Sequence, residues 1–127
     1  MSTRDAGREG EARAAAYLQK RGYEIRDMNY RCPLGELDIV AMDGDVLVFI
    51  EVKSRSSLAF GHPQEGITRA KQRKLAGLAA YYMEDKGFAG HKCRFDVVAL
   101  LVDRNRGGVC SIELITDAFC APQHDFL

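Results

Sequence analysis

Val46-Leu47-Val48-Phe49-Ile50-Glu51-Val52-Lys53 is the stretch on which the reading of this chain turns. A strand apolar on both faces belongs in the middle of a covered sheet, yet this one ends in two charged residues. Side chains alternate along a strand, so Glu51 and Lys53 share a face.

The preceding segment, Glu36 to Met42, also reads as a strand, with Glu36 and Asp38 on one face. Between the two lies Asp43-Gly44, a pair suited to the positive φ angles of a tight hairpin. With those two residues as the loop, Met42 sits opposite Asp45, Asp38 opposite Phe49 and Glu36 opposite Glu51. Asp38 and Glu51 then point to the same side as diagonal neighbours, within reach of a shared ion. A slip of one residue would separate them.

Two carboxylates held this close repel each other unless a cation lies between them. Hard oxygen ligands that leave positions open for water and phosphate suit Mg²⁺ or Mn²⁺. Lys53 would then orient the attacking water and offset charge building on a scissile phosphate, and the outcome would be hydrolysis of a phosphodiester. Taken alone, Glu-Val-Lys reads more readily as an ordinary ion pair on a sheet surface, since E-x-K occurs freely in strands.

Working outward, Ala6 to Arg21 suits a helix, with Ala6, Gly10, Ala14, Tyr17 and Leu18 recurring at spacings of three and four and Gly22 as its stop. Tyr23 to Tyr30 reads as a short strand ended by the turn Cys32-Pro33-Leu34-Gly35. Ser54 to Gly66 is polar and reads as an irregular connection, in which His62 and Gln64 are assigned nothing. A second helix runs from an N-cap at Thr68 to Lys86, with Leu75, Leu78, Ala79, Tyr82 and Met83 on one side and Gly87 after it. Arg94 to Val102 and Val109 to Thr116 form a last hairpin across the polar Asp103–Gly108 turn, and the last dozen residues read as a frayed tail. The order αβββαββ implies an α/β fold: a central mixed five-stranded sheet flanked by helices, in one domain spanning residues 1–127.

Bulk properties bound the function. The charged N-terminus offers neither a signal peptide nor a membrane span, so the expectation is a cytoplasmic protein with no membrane partner. Cys32, Cys93, Cys110 and Cys120 form no C-x-x-C pair, and the three histidines complete no zinc spacing, so the thiols are expected reduced and partly buried. The net charge is zero, which counts against a protein that coats itself in nucleic acid. Locally, however, Lys53, Arg55, Arg69, Lys71, Arg73 and Lys74 face a single acid, Glu65, and this stretch offers phosphates a positive surface unless it is only a solvated helix face.

Gly35-Glu36-Leu37-Asp38, the thirteen-residue step to Glu51-Val52-Lys53, Arg55, Lys71 and Arg94-Phe95-Asp96-Val97-Val98 together resemble the YraN family of bacterial proteins. Gly10-Glu11-Ala12, Tyr17-Leu18, Gly22-Tyr23, Asn29 and Asp117-Ala118-Phe119 extend the resemblance over nearly the whole chain. That family in turn resembles the PD-(D/E)xK nucleases with their restriction endonuclease-like core, and especially the archaeal Holliday-junction resolvases. The resemblance implies that Glu11 is the carboxylate of the N-terminal helix, Asp38 the motif aspartate, and Glu51 and Lys53 the E-x-K pair. Glu11, Asp38 and Glu51 would hold the metal, and Arg55, Arg69, Lys71, Arg73 and Lys74 would lie where DNA approaches. Leu37 departs from the proline of the superfamily name, at a position that does not contact metal. The pattern does not demand Glu36 or Asp96: Glu36 is open between a supporting contact and a surface residue, and Asp96 reads as an ion pair with Arg94.

Three functions stay open: a Mg²⁺- or Mn²⁺-dependent endonuclease acting on DNA, including branched forms; a protein that binds nucleic acid or a partner with the same fold without cleaving; and an assembly module that needs no metal. A homodimer enters only by analogy with two-fold resolvases on a two-fold junction.

Overall fold

The computed structural model describes residues 3–56, 67–103, 105 and 108–120. It contains α1 (Thr3–Lys20), β1 (Glu24–Cys32), β2 (Gly35–Asp43), β3 (Val46–Arg55), α2 (Arg69–Lys86), β4 (Cys93–Val102) and β5 (Val109–Phe119). The strands form one open mixed sheet in the order β1-β2-β3-β4-β5. β3 and β4 are parallel across the α2 crossover, and the other neighbours are antiparallel. The expected α/β architecture and its αβββαββ order are therefore present.

Each helix covers one face. Ala14 and Leu18 of α1 pack with Tyr23, Ile39, Ala41, Val48, Ile50, Val98 and Leu100. Leu75, Leu78, Ala79, Tyr82 and Met83 of α2, the five residues the helical period selects, pack on the other face with Leu37, Val40, Leu47, Phe49, Phe95 and Val97. Rings run across that second face: Tyr82 meets Tyr30 edge-on at 4.9 Å and Phe49 at 5.8 Å, Phe49 stacks on Phe95 at 5.6 Å, and Phe95 stacks on Phe119 at 4.9 Å. Thr68 caps α2 by accepting the Lys71 N–H at 3.1 Å, and Gly87 closes it in the left-handed region at φ 79°. No described helix is long and apolar enough to cross a membrane. Cys32 and Cys93 are half-buried, whereas Cys110 and Cys120 are exposed.

Of the boundaries that differ from expectation, three bear on the central sheet near Arg94 and the end of β3. The β2–β3 loop is Gly44-Asp45 rather than Asp43-Gly44, because Asp43 stays in the ladder opposite Val46 while Arg94 holds its carboxylate at 2.7 Å. Gly44 takes φ 61° at the first loop position, where a type II′ turn places its glycine. Ser54 and Arg55 extend β3 instead of opening the connection. The start of the expected tail is strand: β5 runs through Phe119, fixed by an Asp117 N–H that donates to the buried Asp96 carboxylate at 2.9 Å and by the Phe119 ring on Phe95. His62, Gln64 and the rest of 57–66 lie outside the described residues, as do 104, 106–107 and 121–127.

A carboxylate site where two strands part

The loop position resets the register. Val40, not Asp38, stands opposite Phe49, and Ile39 opposite Ile50. Continuing that register sets Asp38 directly across from Glu51, where a diagonal placement was expected, and leaves Glu36 away from Glu51. The displacement is two residues, and Asp38 and Glu51 still act on each other's charge.

Asp38 sits at an irregularity. Leu37 packs in the α2-side core and Ile39 in the α1-side core, although strict alternation would put both on one face. Across the β1–β2 ladder, between the pairs Met28–Ile39 and Tyr30–Leu37, Asn29 has φ 53°, a conformation that asparagine tolerates better than other side chains. The strand pair thus twists over at Asn29 and Asp38. Beyond Ile39–Ile50 the β2–β3 ladder opens, and the Val52 N–H donates to Asp38 Oδ2 at 2.9 Å in place of a backbone bond.

This twist lets both helices reach Asp38. Burial, then the charge of Glu51, pushes its carboxyl from the ordinary 3.8 up to about 6, while the Val52 N–H and Lys71 pull it down and Glu36 adds to the rise. From the α1 side, Glu11 is raised by burial first and by the Asp38 charge next, against a side-chain hydrogen bond from Asn29. Glu11 Oε2 is buried with no hydrogen-bond partner among the described residues. From the α2 side, Lys71 Nζ lies 3.4 Å from Glu51 Oε1, whose side chain is 14% exposed. Lys53 follows two residues along β3, half-buried and paired in register with Ala99 of β4.

The structure therefore brings Glu11, Asp38, Glu51 and Lys71 into one electrostatic group. It does not close them into a chelate: among the described residues, no three His, Cys, Asp or Glu side chains converge closely enough to hold a metal ion. Arg69 and Arg73 are exposed at the start of α2, Arg55 ends β3 half-buried, and Lys74 is exposed with its stem beside Gly35. Asp96 belongs elsewhere. It is 1% exposed and bonds Arg94 at 3.0 Å and the Tyr23 hydroxyl at 2.9 Å, the ion pair expected from alternation, in a network that also includes Asp43. Burial and Asp96 push the Tyr23 hydroxyl up to about 12. Glu36 meets Arg31 of β1 at 3.3 Å. The sequence reading gave no role to Asn29, Arg8 or Arg31. A turn-favouring asparagine inside a strand was the available signal for the first.

An open mixed sheet with a helix on each face, and acidic side chains gathered where its second and third strands part, defines an α/β protein with a carboxylate site at a strand divergence. The chain belongs to the family described as Uncharacterised protein family UPF0102, whose model matches residues 10–100. It is 53% identical to the UPF0102 protein of Moorella thermoacetica over 119 residues, covering 94% of this chain and 98% of that one. It is 44% identical to the UPF0102 protein of Caldicellulosiruptor saccharolyticus over 119 residues, covering 94% and 100%. The UPF0102 protein of Dictyoglomus thermophilum is 39% identical over the same coverage.

Proposed function

We propose that this chain is a Mg²⁺- or Mn²⁺-dependent endonuclease that hydrolyses phosphodiester bonds of DNA, including branched or otherwise structured forms. The observation that carries the reading is the gathering of Asp38, Glu51 and Glu11, which act on one another's charge through Asp38, with a buried Glu11 oxygen that finds no hydrogen-bond partner among the described residues. The donor chemistry fits a hard cation, because Asp38 and Glu11, whose carboxyls are raised by burial and by neighbouring acidic charge, gain most from a divalent charge beside them. Glu11, Asp38 and Glu51 would hold it, with Lys71 leaving Glu51. Bound there, the cation would polarise a phosphoryl oxygen and make a coordinated water more acidic. Lys53 orients the attacking water and offsets charge that develops on the scissile phosphate. Arg55, Arg69, Lys71, Arg73 and Lys74 supply phosphate contacts from the α2 side, and a two-fold dimer would match a two-fold junction.

A second reading, nucleic-acid binding without cleavage, is favoured by the Lys71–Glu51 pair, which already neutralises one of the carboxylates. Calorimetric titration of Mn²⁺ into wild type, Asp38→Asn and Glu51→Gln tests the site: wild type binds and both variants lose binding. A panel of single-stranded, duplex, flapped and four-way DNA with Mg²⁺ or Mn²⁺ then separates the readings. Metal binding with no cleavage of any substrate selects the second.

A further inference from the structure

A cleft of about 450 Å³ opens on the β1 side of the carboxylates, lined by Gly7, Arg8, Glu11, Asn29, Arg31 and Glu36. Its size falls within the roughly 300–1,000 Å³ of sites that hold small ligands. Arg8 lies one helical turn before Glu11 and acts on its charge, so the two share a helix side. Arg31 is anchored through Nε, 3.3 Å from Glu36 Oε2, while its side chain stays 67% exposed. The guanidinium thus meets Glu36 at Nε while most of the side chain stays open to solvent. Arginine held in this way matches a phosphate oxygen pair better than a point charge does. Among the described residues the lining contains no aromatic ring on which a base would stack.

We infer that this cleft is a phosphate-backbone subsite for nucleic acid, in which Arg8 and Arg31 hold a phosphodiester next to the one at Asp38 and Glu51. The inference rests on the nuclease reading of the carboxylates and extends it. The strand crosses the divergence of β2 and β3, held by Arg8 and Arg31 on the α1 and β1 side and by the basic start of α2 on the other. Two arginines balance Glu11 and Glu36 within the cleft, so it attracts phosphate strongly only when the acidic charge beside it is offset. That arrangement suits a chain of zero net charge, in which grip on a polyanion has to be local.

The test is a backbone-amide NMR titration of the full chain with a 5′-phosphorylated thymidine trinucleotide, with and without Mg²⁺, and with inorganic phosphate as a separate arm. Shifts centred on Gly7, Arg8, Asn29 and Arg31 are expected, stronger with Mg²⁺, with Arg8→Ala and Arg31→Ala each weakening binding roughly tenfold. Both arginines are exposed enough that these variants should fold. Shifts confined to Arg69, Lys71, Arg73 and Lys74, an absence of trinucleotide binding, or inorganic phosphate binding as tightly as the trinucleotide overturns the inference. Trinucleotide binding in the cleft without Mn²⁺ binding or cleavage keeps the subsite and removes the nuclease reading. Metal-dependent cleavage with unchanged KM in both arginine variants does the reverse.

Discussion

The Asp38 carboxyl would ordinarily titrate at 3.8, and in the fold burial followed by Glu51 moves it up to about 6. The folded chain therefore binds this proton more tightly than the unfolded chain does. The stability it contributes is complete below about pH 3.8 and is lost as pH rises through about 6. A displacement of that size corresponds to about 2–3 kcal/mol. Asp38→Asn removes the charge but keeps an oxygen for the Val52 N–H. In EDTA, urea unfolding should find the asparagine variant about 2–3 kcal/mol more stable than wild type at pH 7.5, with the difference vanishing near pH 4. A difference that stays flat across that range would mean the carboxylate is not strained by its neighbours. Glu51 was legible because a charge at the end of an apolar strand is anomalous in the sequence itself, and Asp38 because a tight hairpin brings it to the same side. Arg31 was not legible, since its orientation depends on Glu36 across the β1–β2 turn, a tertiary fact that no local pattern carries.

At the scale of elements, α1 reaches the site because Gly10 lets it lie close to the sheet. A Cβ at Gly10 would fall 3.0 Å from Leu100 Cδ1 and 3.7 Å from Ser54 Oγ. Gly10→Val should cost about 1–3 kcal/mol by overpacking and, by lifting Glu11 away, should weaken Mn²⁺ binding as far as Glu11→Gln does. Gly77→Ala is the control of opposite sign. A Cβ at Gly77 in α2 meets no described residue within 4 Å, so that change should stabilise by about 0.5–1 kcal/mol and leave Mn²⁺ binding alone. β5 supplies the other element-scale test. Phe119→Ala should destabilise by about 1–2 kcal/mol in denaturant unfolding, because its ring stacks on Phe95, whereas a frayed tail would lose nothing. The sequence pattern located every strand, since hydrophobic alternation reports which face is buried. It misplaced the β2–β3 loop and the end of β5 because both are fixed by one distant group, the Arg94–Asp96 network, which holds Asp43 at one strand end and Asp117 at the other.

For the whole molecule, metal binding and folding become one equilibrium if the carboxylates at the β2–β3 divergence hold the cation. The metal-free fold then keeps Asp38 and Glu11 with raised proton affinity, and the cation relieves the repulsion that raises it. A ligand that binds only the folded chain stabilises it by about 2.7 kcal/mol at a hundred times its Kd. Thermal unfolding at pH 8 should therefore shift upward by several degrees on adding Mn²⁺ at that ratio. Protons compete for the same oxygens: with Asp38 titrating at about 6, only about a tenth of it is ionised at pH 5. The apparent Kd should rise roughly tenfold between those conditions, and at fixed Mn²⁺ the gain should fall by about 1.4 kcal/mol. Asp38→Asn, already relieved of its charge, should show little Mn²⁺-dependent gain at either pH. If the variant gains as much as wild type, or the wild-type gain does not shrink on acidification, the cation binds elsewhere on the molecule and the carboxylates serve another purpose.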